Sequence, residues 1–153
     1  MPSPAAADPA EPRTSLDERL AALGQTLGER EAAHADGLER ARACVRGLHA
    51  EVGAALDAFH AAAARAGAPH LRIELSPVRT DDKHLRSVEF ELARGRHRAI
   101  VTAKSRGDLT LVGPFRTGKT EGPCKSFPID AEDEVQRALA GFLESFLEEA
   151  ATP

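Results

Sequence analysis

The chain has 153 residues, 20 Lys and Arg against 24 Asp and Glu, and a net charge of −4. That length supports one domain with a real core, and no run approaches the roughly 20 apolar residues of a membrane span. Six Phe with no Trp and no Tyr leave the packing to Ala and Leu, and argue against ligand or base recognition by aromatic stacking.

The charge is unevenly placed. Residues 1–69 carry 7 basic and 10 acidic side chains, residues 70–125 carry 12 and 7, and residues 126–153 carry 1 and 7. A basic middle and an acidic tail either face each other or present a basic surface to an anionic partner. The two cysteines, Cys44 and Cys124, are too few for a disulfide scaffold and read as free thiols. The first residues have no apolar core of the signal-peptide kind, so the cytoplasm is the expected location.

Residues 1–14 carry Pro2, Pro4, Pro9 and Pro12 among alanines and read as a disordered tail. Ser15-Leu16-Asp17-Glu18 has the spacing of a capping box. Helical periodicity follows until Gly67 and Pro69 stop it, so 15–67 is expected to be a long helix or a helical hairpin. Leu16, Leu20, Leu23 and Leu27, then Leu38, Ala41, Val45, Leu48, Val52, Leu56 and Phe59, recur at threes and fours and share one helical face. Between Leu27 and Leu38 the stripe weakens at Glu31 and His34. That gap fits a coiled-coil stutter, and Ala35-Asp36-Gly37 fits a turn.

Residues 70–153 predict a small α+β unit packed with the helix. Leu71, Ile73 and Leu75 alternate as a half-buried strand, and Val88, Phe90 and Leu92 as a second. A tight hairpin is expected with Arg94-Gly95 as its two-residue loop, which sets Glu91 opposite Arg98 and Phe90 opposite Ala99. Arg106-Gly107 is a second turn, and the strand after it buries either Leu109 and Leu111 or Thr110 and Val112. Residues 113–128 read as a Gly/Pro/Thr/Lys-rich loop anchored by Phe115 and Phe127. Asp130 is the expected cap of a last helix, buried through Val135, Leu139, Phe142 and Phe146. The fold class is therefore α+β: a long N-terminal helix, an antiparallel meander of about four strands, and a C-terminal helix on the sheet.

Gly113-Pro-Phe-Arg-Thr-Gly118-Lys119-Thr120 matches the phosphate-binding loop pattern. Such a loop must open straight into a helix, and Glu121-Gly122-Pro123 resists that. Arg106-Gly107-Asp108 reads as a turn. No two of the six histidines have metal-ligand spacing on a helix, and no Cys-x2-Cys occurs, so no metal, cofactor or catalytic set is expected.

Two function classes remain. A helix of about 52 residues is roughly 78 Å long at 1.5 Å per residue, more than a small sheet covers. The surplus leucines, Leu16, Leu20, Leu23 and Leu27 with Leu38, then form an interface with a second copy or a protein partner. The reading is a non-enzymatic adapter or assembly protein that dimerises through this helix. The alternative is an anion-binding module for nucleic acid or a phosphorylated ligand, using Arg94, Arg96, Arg98, Arg116 and Lys119. Glu89 and Glu91 interleave with these basic residues, and the overall negative charge works against nucleic acid.

Overall fold

The computed structural model describes residues 15–83, 86–118 and 122–152. It contains helix α1 (Leu16–Arg65), strands β1 (Glu74–Leu75), β2 (Arg79–Asp81), β3 (Ser87–Arg94), β4 (His97–Lys104), β5 (Asp108–Arg116) and β6 (Cys124–Pro128), and helix α2 (Glu132–Ala151). The N-terminal tail expected at 1–14 lies outside the described residues. The chain divides into two units, up to Ala33 and from His34 onward.

In the first unit the described residues are the start of α1. Ser15 caps it, its Oγ accepting from the Glu18 amide at 3.1 Å, which satisfies one of the orphan donors of the first turn. Asp17 and Glu18 lie in that turn, where the helix dipole favours negative charge. The side chains from Leu16 to Ala33 are all exposed.

The second unit is a two-layer α+β structure. An antiparallel sheet runs β1-β3-β4-β5-β6, with β2 also on β3. β1 pairs with Ala93 and Leu92, and β2 with Glu89, Val88 and Ser87, so the two share one edge of β3. The interruption is at Pro77, which has no amide for the ladder. Ser76 bridges it, donating its amide to the Glu91 carbonyl at 2.9 Å and accepting the Glu91 amide on Oγ at 2.8 Å. The expected strand through Leu71 and Ile73 is shortened to Glu74–Leu75, although Ile73 is buried.

One face of the sheet carries the core. Val88, Phe90 and Leu92 of β3, Ala99, Val101 and Ala103 of β4, and Leu109 and Leu111 of β5 are buried. Leu38, Ala41, Val45, Leu48, Val52 and Leu56 of α1 join the same cluster, as do Val135, Leu139, Phe146 and Ala150 of α2. Both helical sets follow the spacing of a single buried stripe.

Helix α1 has no turn at Gly37. The glycine serves a close approach: a Cβ there would overlap the Ser105 carbonyl oxygen in the β4–β5 turn. Farther along, His49 Nε2 donates to the Ser76 carbonyl at 2.9 Å, and its ring meets Phe90 edge-on at 5.1 Å. His60 Nε2 accepts the Ile73 amide at 2.9 Å.

Three expectations are corrected. The β3–β4 hairpin turns at Gly95-Arg96, pairing Arg94 with His97, so Glu91 lies opposite Ile100 and Phe90 opposite Val101. The slip moves each partner by two and keeps every side chain on its expected face; Arg98 Nε still reaches Glu91 at 3.1 Å along the diagonal. Residues 113–128 are mostly strand, not loop: β5 continues to Arg116, and β6 pairs Cys124 with Val112 and Phe127 with Leu109. Helix α2 begins after Ala131 without a side-chain cap, so Asp130 does not fill that role. The last strand's open register resolves with Leu109 and Leu111 buried.

Candidate functional site

Leu16, Leu20, Leu23 and Leu27 are 69, 56, 51 and 48 % exposed. Their spacing continues in Leu38, Ala41, Val45 and Leu48, all buried against the sheet. Leu38, grouped with the four on sequence, therefore belongs to the core, and the exposed apolar run is Leu16–Leu27. At 100° per residue the flanks of this run differ in charge. Arg19 and Arg30 lie on one side, Asp17 and Glu31 on the other.

The basic residues of the hairpin do not form a free cluster. Arg94 Nη1 donates to the Ala150 carbonyl at 2.7 Å, supplying a donor to the last turn of α2, which has no basic residue of its own. Arg98 is tied to Glu91 and also donates to the His97 carbonyl at 3.0 Å. Arg96 and Arg116 are exposed at the hairpin end, where the Thr117 amide donates to the Arg96 carbonyl. Lys119 lies outside the described residues. Among the described residues His97 Nδ1, buried there, has no hydrogen-bond partner.

The phosphate-loop spelling folds as something else. Gly113, Pro114, Phe115 and Arg116 belong to β5, and the element that follows is strand β6. A phosphate loop needs the amides of a helix N-terminus at that point. Gly113 is buried at φ +116°, its amide donating to the Pro123 carbonyl at 2.7 Å. A Cβ there would lie 3.0 Å from the Arg98 carbonyl oxygen. Arg106-Gly107-Asp108 is the β4–β5 turn, with Gly107 at φ +105°. Arg106 Nε donates to both Asp108 oxygens, at 2.8 and 3.1 Å. That hydrogen bond holds the Asp108 carboxyl below its ordinary range.

Two of the histidines that sequence spacing left without a role, His49 and His60, hold the chain at the edge of the sheet through Ser76 and Ile73. For His60, burial and the nearby Arg72 push the pKa below 6.5, with Asp57 opposing. A neutral ring is what the Ile73 bond requires, since only an unprotonated Nε2 can accept. Both cysteines are free thiols, Cys44 half-buried and Cys124 exposed. Burial, then the charge of Glu132, pushes the Cys44 thiol up. Among the described residues no group of three or more His, Cys, Asp or Glu is placed to hold a metal ion, and no helix is long and apolar enough to cross a membrane. In comparisons with known protein families, curated proteins and solved structures, the chain matches none.

Proposed function

We propose that this chain is a non-enzymatic assembly or adapter protein of the cytoplasm that self-associates through Leu16–Leu27 of α1. The observation that carries the reading is the run of four leucines, each about half exposed or more, on one face of a capped helix. A second copy is the occupant that the charges favour. In a parallel pair the acidic flank of one helix faces the basic flank of the other, which sets Asp17 and Glu31 on the side of the partner's Arg19 and Arg30. An antiparallel pair would set like flanks together. Two exposed or half-buried thiols without a disulfide suit a reducing compartment. The assignment of His49 and His60 to structural hydrogen bonds supports a non-catalytic role.

Fully burying a leucine contributes about 1.5–3 kcal/mol, so covering the exposed half of eight leucines in a dimer yields roughly 6–12 kcal/mol. Association costs about 4–15 kcal/mol in lost freedom. Gain and cost are of the same order, so the association should depend on protein concentration. Light scattering after size-exclusion chromatography, at two protein concentrations, should show twice the chain mass at the higher one. Leu20→Asp with Leu23→Asp should return it to the monomer with the circular dichroism of the sheet unchanged. A monomer at both concentrations, or a dimer that survives the double substitution, would refute the reading.

The anion-binding alternative has less support. Arg94 and Arg98, two of the five basic residues it needs, are already engaged with Ala150 and Glu91.

A further inference from the structure

A hollow of about 410 Å³ lies between helix α2 and strands β5 and β6. That size is typical of small-molecule sites. Leu111 and Phe142 supply apolar wall, and Gly113 and Gly141 lie along it. Gly141 sits in the middle of α2, and among the described residues a methyl added there would meet nothing within 4 Å. Alanine is a better helix former at such a position; glycine leaves the space open.

Among the described residues the charged lining is of one sign. Lys125 comes from β6 and Arg137 from α2. Arg137 is the one basic side chain of an otherwise acidic helix. Among the described residues neither Lys125 nor Arg137 enters an ion pair. Two cations from different elements at an apolar-walled hollow match a ligand that is anionic at one end and apolar along its body. We infer that this hollow binds a small amphiphilic anion of the medium-chain carboxylate class, its head held by Lys125 and Arg137 and its chain against Leu111 and Phe142.

The test is titration of the full chain with octanoate, read by isothermal titration calorimetry. Octanoate should bind saturably. Gly141→Leu, which fills the hollow, should abolish binding. Lys125→Gln with Arg137→Gln, both at exposed positions, should weaken it by about tenfold, the worth of a charge-assisted contact. No binding at millimolar octanoate overturns the inference, as does undiminished binding in either variant. Equal binding of octanol would overturn it by removing the charge from recognition. Equal binding of inorganic phosphate would overturn it by removing the apolar body. Binding to phosphatidylglycerol vesicles without binding of octanoate would overturn it in favour of a membrane surface.

Discussion

Replacing Gly37 by alanine sets two effects against each other. At an open position in a helix the change gains about 1 kcal/mol, because glycine is the more flexible residue in the unfolded chain. At Gly37 the new methyl would overlap the Ser105 carbonyl oxygen and lie 3.1 Å from the Ser105 carbonyl carbon. Both are backbone atoms. The turn they belong to is held by the Ser105 amide on the Arg86 carbonyl and the Gly107 amide on the Lys104 carbonyl, each at 2.9 Å. It cannot rotate aside as a side chain would. Overpacking of this kind costs about 1–3 kcal/mol, and a clash with fixed backbone belongs at the upper end. The net expectation is a loss of about 2 kcal/mol. Gly47 of the same helix is the control, since a Cβ there meets nothing within 4 Å and alanine should gain about 0.5–1 kcal/mol. The chain has no Trp or Tyr, so urea unfolding is followed by far-ultraviolet circular dichroism. With a urea dependence of about 1–3 kcal/mol per molar, the Gly37→Ala midpoint should fall by about 1 M and the Gly47→Ala midpoint should rise. A Gly37→Ala midpoint at or above that of the parent chain would refute the argument.

Acid should weaken the fold through His60. Its pKa is lowered on folding, so the native state binds fewer protons than the unfolded chain. Its contribution is complete above the unfolded value of about 6.5 and is lost as pH falls through the lower folded value. Urea midpoints at about pH 7.5 and about pH 5.5 should differ less in His60→Gln than in the parent; an equal difference would refute the assignment. Arg94→Ala should cost about 1–2 kcal/mol by removing the donor at the α2 C-terminus. Arg96→Ala, at an exposed turn position, should stay within about 0.5 kcal/mol, and thermal melts of the two variants compare them directly.

Much of the architecture was legible because burial writes a period into the chain. The threes and fours from Leu38 to Leu56 and the alternation of Val88, Phe90 and Leu92 named the faces that are buried. Ser15 was readable as a cap because capping is local. The hairpin register was not, since a slip of two residues leaves the alternation unchanged. Strand β6 escaped notice because only Phe127 of its five side chains is even half-buried, so no apolar period marks it. At Gly37 a continuous helix and a turn both stayed open, because the reason for the glycine, the Ser105 carbonyl, is distant in sequence and backbone in origin. The exposed leucines were legible as a surplus, while the 410 Å³ hollow was not. It depends on residues of β5, β6 and α2 meeting in space, and Arg137 and Lys125 carry no shared spacing that would signal it.

The two borders of the sheet bear on how such a chain can assemble. One border is cut by Pro77 into strands of two and three residues, and the other is a five-residue strand closed by Pro123 before it and Pro128 at its end. Unpaired strand borders recruit further copies end upon end, and short, proline-bounded ones resist this. A protein that joined copies through both a helix and a sheet border would have two unlike contacts and grow into open filaments. With its borders blunted in this way, the proposed contact through one helical face would close on itself, and growth would stop at a finite particle.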